Sequence, residues 1–365
     1  AKALRNLYVK AESMMAATHP VMNMVVYGCI IAISWWGAKF VVSGQLTTGQ
    51  LTSLFTYVMS IFMSLMMLSM IFVQITMSAA SGRRIAEIID EEPDIANPAN
   101  ADTEIANGDI DFNNVSFAYK GGSGEYALHG IDLHIKSGQT IGIIGGTGSG
   151  KSSLINLMSR LYDVSRGSVC IGGKDVRKLD LTTLRNSVAV VLQKNVLFSG
   201  TILDNLRWGN ANATLDECRD ACRVACADEF ISQMPDGYET RIEQGGTNVS
   251  GGQRQRLCIA RALLKKPSIV VLDDSTSACD NETDAKIRRA FATHLPNVTK
   301  IIISQRISSI KECEKILLLN NGKMSGWGTH ENLLNSNEIY QEICALQNEE
   351  NRDFDAIKTR KEVEQ

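Results

Sequence analysis

The sequence predicts two parts of different fold class: an all-α transmembrane helical hairpin, followed by an α/β P-loop domain. From Phe40 to Gly82 the chain carries no charged residue, whereas beyond Arg83 it has the composition of an ordinary soluble protein. Further along, a glycine-rich loop lies between a short apolar run and a helix-like segment. A length of 365 residues suffices for two domains.

Two apolar stretches are each long enough to cross a bilayer. Residues 21–42 are apolar apart from Asn23 and Lys39, and residues 54–80 carry no charge. About twenty apolar residues span the hydrocarbon core, and Lys39 can extend its amine to the interface. A polar turn at 43–50 joins the stretches, and basic residues flank both outer ends. The positive-inside rule then places both ends of the hairpin in the cytoplasm and the turn outside. We expect an integral, multi-pass protein of the cell membrane whose second domain is cytoplasmic.

Composition limits the classes of partner and cofactor. A net charge of −3 gives no indication of a nucleic-acid partner. Nine cysteines without C-x-x-C pairs are typical of free thiols in a reducing compartment. The four-residue spacing of Cys218, Cys222 and Cys226 is compatible with a metal or redox cluster, but apolar packing is the interpretation we favour. Because the first residue is Ala1 and no signal-peptide pattern follows, we expect the chain to begin partway into a longer protein.

Four segments follow from these patterns. Residues 1–89 are predicted to form the membrane part, and residues 90–108 a linker, since they contain Pro93, Pro98 and several Asn and Asp residues. Residues 109–347 are predicted to form the second domain. Residues 348–365 are a polar tail with no assignable role.

The glycine-rich loop has the context that phosphate binding requires. It lies between the apolar run 139–144 and the helix-like segment 153–161, and it reads Gly145, Gly146, Thr147, Gly148, Ser149, Gly150, Lys151, Ser152, with Ser153 next. Glycines let backbone N–H groups surround phosphates, and a helix N-terminus adds positive potential. Lys151 is expected to neutralise the β- and γ-phosphates and Ser152 to ligate Mg²⁺. The predicted cofactors are therefore ATP and Mg²⁺.

Two further motifs extend this prediction. Residues 269–273 read as a buried parallel strand that ends in Asp273, where a carboxylate can hold Mg²⁺ together with Ser152. A second turn before a helix, at Ser250, Gly251, Gly252 and Gln253, is another possible anion site. One ATP does not need both sites in one chain, but two chains facing each other head to tail would use both.

The order of these motifs resembles the ABC ATPase family, and with the preceding hairpin it resembles the exporter branch of the multidrug type. The resemblance implies an ABC ATPase domain with antiparallel β and helical subdomains, and a six-helix membrane domain of which two helices are present. It implies that Tyr119 stacks on adenine and that Gln193 senses Mg²⁺. It also implies that residues 250–253 reach the partner's ATP, and that the loop 275–280 contacts the opposite subunit.

Two departures from the family pattern fall on the hydrolytic apparatus. Asp274 stands where the family has the glutamate that polarises water, and Gln305 stands where it has the switch histidine. Aspartate is one methylene shorter, about 1.5 Å, and glutamine cannot carry a proton. Gln244, also in place of a usual glutamate, agrees weakly. The pattern resembles the degenerate subunit of a heterodimeric exporter, with an unidentified transported substrate and membrane lipid as further partners.

Two alternatives stay open at this point. One is a homodimeric exporter that hydrolyses ATP slowly through Asp274, because aspartate can polarise water when geometry permits. The other, from a different class, is a non-enzymatic, ATP-sensing regulatory membrane subunit. The expected transported substrate is a small molecule, drug, lipid or peptide.

Overall fold

The computed structural model describes residues 2–119, 124–274 and 281–350. The chain divides into two compact units, Ala1–Pro93 and Asp94–Gln365.

The first unit is a helical hairpin of α1 (Lys2–Val42) and α2 (Thr48–Ile89). The turn ends at Thr47, which caps α2: the Gln50 backbone N–H donates to Thr47 Oγ1, and the Thr47 N–H donates to Gln50 Oε1. A Cβ on Gly37 would lie 2.3 Å from Leu51 Cδ1, so this glycine lets the two helices approach closely.

Both helices are long and apolar enough to span a membrane. The qualifying segments are Pro20–Val42, with a mean hydropathy of 1.7, and Thr48–Ile89, with a mean hydropathy of 2.1. Almost none of either segment is buried within the hairpin. A helix that is apolar on all sides is typical of a membrane span, so the predicted hairpin of membrane helices is confirmed.

The second unit is built on two main β-sheets. The first is antiparallel, in the order β2-β1-β4-β5. The second has the order β12-β11-β3-β10-β9-β6, and it is parallel except for the edge strand β12. A short pair, β7-β8, completes the strands. Their bounds are β1 Ile110–Phe117, β2 Leu128–Ile135, β3 Thr140–Ile144, β4 Arg166–Ile171, β5 Lys174–Asp175, β6 Val188–Val191, β7 Gly200–Thr201, β8 Arg241–Ile242, β9 Ile269–Asp273, β10 Thr299–Ile303, β11 Lys315–Asn320 and β12 Lys323–Gly328.

Ten helices of the second unit surround these sheets within the described residues. Helices α5 and α6 pack on α8, and the three helices together form a helical subdomain beside the main sheet. The helix bounds are α3 Lys151–Met158, α4 Leu181–Ser187, α5 Ile202–Arg207, α6 Leu215–Val224, α7 Asp228–Ile231, α8 Gly251–Leu263, α9 Asn281–His294, α10 Ile307–Ile310, α11 His330–Ser336 and α12 Glu338–Glu350. The fold class predicted from the sequence, including the antiparallel and helical subdomains, is confirmed.

The parallel sheet is covered on both faces. On β9, Ile269 and Val271 belong to the core shared with the antiparallel sheet and α3. Val270 and Leu272 belong to the opposite core, shared with α8, α9 and α12. Strands buried on both faces are continuous apolar runs rather than alternating ones, and this is why residues 269–272 carry no polar side chain.

The segment before β1 is attached to the second unit. Asn97 Nδ2 donates to Asp180 Oδ2 at 2.8 Å, and the Leu181 N–H donates to Asn97 Oδ1 at 2.8 Å. Asp102 forms a β-bridge with Leu179, and Thr299 Oγ1 donates to the Gly108 carbonyl at 2.7 Å. Much of the predicted linker 90–108 therefore packs on the domain that it precedes.

The three evenly spaced cysteines lie in apolar surroundings. Cys218 and Cys222 are fully buried in the core near α8, and burial raises the pKa of Cys222 to about 12. Such a thiol is protonated at neutral pH, as the apolar-packing interpretation expects. In the ranges that the structure describes, no group of three or more His, Cys, Asp or Glu residues could hold a metal ion.

Candidate nucleotide-binding site

The strand order of the parallel sheet brings the sequence-predicted residues to one edge. Strand β10 lies between β3 and β9, and Ile303 pairs with both Ile143 and Asp273. The segments that follow these strands contain the phosphate-binding loop, Asp274 and Gln305. Ligands of open α/β sheets bind at this carboxyl edge, so the geometry defines a candidate site.

The phosphate-binding loop needs glycine at three positions for two different reasons. Gly148 and Gly150 have φ angles of 78° and 101°, which L side chains rarely adopt. A Cβ on Gly150 would also lie 2.6 Å from Leu128 Cδ2, and a Cβ on Gly145 would lie 2.3 Å from the Leu319 carbonyl oxygen. Gly150 immediately precedes α3 and has no side chain to cap it. The first turn of α3 is therefore suited to an anion.

Lys151 lies folded over its own loop. Its Nζ donates to the Gly145 carbonyl at 2.7 Å and to the Gly146 carbonyl at 2.8 Å, and it lies 3.4 Å from Ser149 Oγ. Two carbonyl dipoles hold the ammonium group in the loop's concave centre. A phosphate would replace at least one of these loop contacts with a charge-assisted hydrogen bond from the same ammonium group.

Asp273 is a half-buried carboxylate that faces Lys151. Burial, and then the neighbouring Asp274 charge, raises the pKa of Asp273, while the Lys151 charge lowers it in part. A divalent cation would remove the cost that burial and like-charge repulsion impose on this group. Carboxylate and hydroxyl oxygens are the kind of ligand that Mg²⁺ prefers, so Asp273 and Ser152 are the residues that would hold it.

Asp274 adopts a left-handed backbone conformation, with a φ of 45°. Its N–H donates to the Ile303 carbonyl at 2.9 Å, and its Oδ1 accepts the Gln305 backbone N–H at 3.2 Å. Backbone strain of this kind is concentrated at functional sites. The carboxylate is thus directed toward the backbone of the loop after β10.

Tyr119 is connected to the phosphate-binding helix. Its hydroxyl lies 2.9 Å from Ser153 Oγ, and its ring makes edge contacts with Phe117 and Tyr162 at centroid distances of 4.7 and 5.0 Å. Tyr162 is 42% exposed beside Tyr119, which is 38% exposed. Sequence reasoning missed Tyr162, because 43 residues separate it from Tyr119 and only the tertiary fold brings the two rings together.

The remaining predicted residues lie on other elements. Gln193 is exposed just after β6, which is the neighbour of β9. Ser250 caps α8: its Oγ accepts the Gln253 N–H at 3.2 Å, and its own N–H donates to Gln253 Oε1 at 2.9 Å. Ser250 and Gly251 are exposed at the start of α8. The predicted inter-subunit loop 275–280 lies outside the described residues.

The fold and this site resemble the ATP-binding domain of ABC transporters. The family model for ABC transporters matches residues 128–277, a range that includes the phosphate-binding loop, the α8 turn and Asp273. The relatives below match the hairpin as well, so the chain is a membrane protein homologous to ABC exporters.

Three known proteins illustrate the likeness. An uncharacterized ABC transporter ATP-binding protein of Bacillus subtilis, YknU, is 37% identical over 94% of this chain and 59% of its own length. The mitochondrial potassium channel ATP-binding subunit of Xenopus tropicalis is 36% identical over 91% of this chain and 48% of its own length. A solved structure of a bacterial Atm1-family ABC exporter with ATP bound is 31% identical, with a TM-score of 0.79, over 93% of this chain and 60% of that one. The chain thus spans about half to three fifths of these relatives.

Replacing Asp273 by asparagine is expected to stabilise the nucleotide-free protein at neutral pH while abolishing its stabilisation by Mg²⁺ and ATP. The folded-state pKa of Asp273 is raised, so its ionised form opposes folding, and this penalty disappears as the pH falls through that pKa. Each kcal/mol shifts the melting temperature by roughly 2–4 °C in a domain of this size class. Thermal unfolding at several pH values measures the difference, which should shrink in acid.

The exposed Asp236, replaced by asparagine, is the matched control and should change neither quantity. A melting temperature of Asp273→Asn below that of the wild type at neutral pH would contradict the argument.

Proposed function

We propose that this chain is the ATP-binding subunit of an ABC exporter, that it is the degenerate half of a heterodimer, and that ATP turnover in the pair drives export of a small molecule, drug, lipid or peptide. The observation that carries the proposal is an asymmetry within the site. The phosphate-binding loop, Lys151 and Asp273 retain the residue types that ATP binding requires, whereas the two positions that would activate water are changed to Asp274 and Gln305.

The geometry of Asp274 supports slow or absent hydrolysis at this chain's own site. Its Oδ1 already accepts the Gln305 backbone N–H, and its side chain is one methylene shorter than that of glutamate. A displacement of about 1 Å can cost on the order of a hundredfold in rate. Gln305 can donate a hydrogen bond but cannot take up a proton. ATP held here would act chiefly by favouring the closed state of the pair.

The α8 turn supports a role at the partner's site. The Ser250 oxygen accepts an N–H from Gln253, and this arrangement leaves the hydroxyl hydrogen available for a phosphate oxygen. The N-terminus of a 13-residue helix adds positive potential at the same point. We therefore assign Ser250, Gly251 and Gly252 to the completion of the partner's ATP site.

A second candidate function has one observation in its favour. The Xenopus tropicalis relative is named as the ATP-binding subunit of a potassium channel. A chain that binds ATP in order to gate a membrane partner would retain Lys151 and Asp273 without needing a catalytic glutamate. In that case the assembly would bind ATP but would show no turnover dependent on Ser250.

The test is ATP turnover by the complete subunit, purified alone and then mixed with its partner half-transporter. We expect turnover only in the mixture. There, Asp274→Asn should leave the rate within about twofold, whereas Ser250→Ala should reduce it by on the order of a hundredfold, the effect of removing one transition-state donor. Thr214→Ala is the matched control, because Thr214 caps α6 through the same pair of bonds to Glu217.

The other outcomes separate two alternative functions and a folding defect. Rapid turnover by the subunit alone, abolished by Asp274→Asn, would overturn the heterodimer and indicate a homodimer with aspartate as the working acid. Binding of ATP without turnover in any combination would indicate the regulatory subunit. Equal losses in Ser250→Ala and Thr214→Ala would show that the Ser250 effect is one of folding.

A further inference from the structure

The last described helix, α12, places one side chain on the loop that follows β10. Gln347 Nε2 donates to the Gln305 carbonyl at 2.7 Å, and the Ile307 backbone N–H donates to Gln347 Oε1 at 2.9 Å. One amide group thus binds the backbone on both sides of Arg306. These contacts join positions that are 40 and 42 residues apart in the chain.

The position of Gln347 is determined by the buried face of α12. Tyr340, Ile343 and Cys344 lie seven, four and three residues earlier, and they are 0%, 1% and 8% exposed. Helical residues at these spacings share one face. Tyr340 is also held by its hydroxyl, which lies 2.8 Å from His330 Nδ1. The helix therefore presents Gln347 from a packed surface rather than from a mobile end.

Besides the bonds from Gln347, the loop has a bond of its own, in which the Arg306 N–H donates to Ser304 Oγ at 3.0 Å. Arg306, the residue before α10, makes no side-chain capping bond, so Gln347 Oε1 serves as the acceptor for the first amide of α10. On the opposite side of the same loop, the Gln305 N–H donates to Asp274 Oδ1. The Gln305 backbone is thus held between α12 and Asp274.

The place of this loop indicates which part of a nucleotide it would meet. Strand β10 lies between β3, which leads into the phosphate-binding loop, and β9, which leads into Asp273. The Ser304 N–H donates to the Ile143 carbonyl at 3.2 Å. Tyr119, the predicted adenine contact, is bonded to α3 instead. The loop is therefore suited to the terminal phosphate and not to the base.

We propose that Gln347 is a positioning residue which, through the Gln305 backbone, sets the place of Gln305 and Asp274 and so allows the site to distinguish ATP from ADP. The proposal rests on the proposed binding of ATP at this edge of the sheet. It deepens that function by adding the C-terminal helix to the machinery that senses the terminal phosphate.

The first test measures hydrogen exchange and needs no nucleotide. In the complete protein, Gln347→Leu is expected to raise exchange of the Ile307 amide by about tenfold, because the hydrogen bond that protects it is lost. Gln341→Leu is the matched control: Gln341 lies on the same helix and donates to the Leu334 carbonyl at 2.7 Å, away from the loop. Unchanged exchange of the 303–310 segment in Gln347→Leu would overturn the proposal.

The second test measures nucleotide discrimination by competition against 8-azido-ATP photolabelling of this chain. Gln347→Leu should raise the half-competing concentration of AMP-PNP with Mg²⁺ by about fivefold and leave that of ADP within about twofold. Gln347→Glu, which keeps the acceptor for Ile307, should fall between wild type and Gln347→Leu. Equal shifts for both nucleotides, or none, would overturn the positioning role. A wild-type chain that takes no label would count against the proposed ATP binding, and hydrogen exchange would then decide the contact itself.

Discussion

Replacing Asp274 by glutamate together with Gln305 by histidine is expected to raise ATP turnover at this chain's own site by on the order of a hundredfold. The added methylene moves the carboxylate about 1.5 Å further out, and a displacement of about 1 Å changes rates on that scale. In the native chain Asp274 Oδ1 accepts the Gln305 backbone N–H. With glutamate, the backbone at position 274 can stay in place while the longer side chain extends its carboxylate to a water molecule. The histidine restores a group that can exchange a proton.

The measurement is steady-state ATP turnover in the assembled pair, after the partner's own catalytic carboxylate has been removed so that only this site contributes. The single variants Asp274→Glu and Gln305→His separate the two effects, and Asp274→Asn supplies the background rate. If the unaltered chain already turns over ATP as fast as the double variant, the interpretation of a degenerate site is wrong.

Replacing Lys151 by methionine is expected to weaken ATP binding at this site by about ten- to a hundredfold. A hydrogen bond to a charged group contributes about 1.5–3 kcal/mol, and the Lys151 ammonium is the cation held at the centre of the loop by Gly145 and Gly146. Methionine retains most of the aliphatic volume but donates no hydrogen bond. Photolabelling of this chain by 8-azido-ATP, over a range of concentrations, measures the loss.

A general loss of stability must be separated from this specific effect. Lys323→Met, at an exposed lysine on β12, removes the same charge elsewhere on the domain and should leave labelling unchanged. The melting temperature of Lys151→Met should fall by several degrees, because the loop loses the two hydrogen bonds that Lys151 Nζ donates to its carbonyls, so labelling is measured well below that temperature. Retained labelling in Lys151→Met would show that the loop does not bind phosphate in the predicted way.

Several features of the site could be predicted from local sequence. The loop 145–152 can be recognised from the sequence because glycine is needed at particular backbone angles. Gly148 and Gly150 have the positive φ that such loops require. The apolar run at 269–272 ends in Asp273 because a strand buried on both faces becomes polar only where it leaves the sheet. Both properties depend only on residues that are close together in the chain, so the sequence alone is enough to predict them.

Other features depend on strand order and could not be predicted. Nothing local to Gln305 indicates that its carbonyl accepts a bond from Gln347, 42 residues later, or that Tyr162 packs beside Tyr119. These contacts exist because β10 lies between β3 and β9 and because α12 buries Tyr340. The sequence by itself determined the membrane hairpin, the glycine-rich loop and the position of the Asp273 carboxylate at the end of a buried strand. Only the tertiary structure decided which backbone groups hold Lys151, Asp274 and Gln305, because side chains distant in sequence meet only after the sheet has assembled.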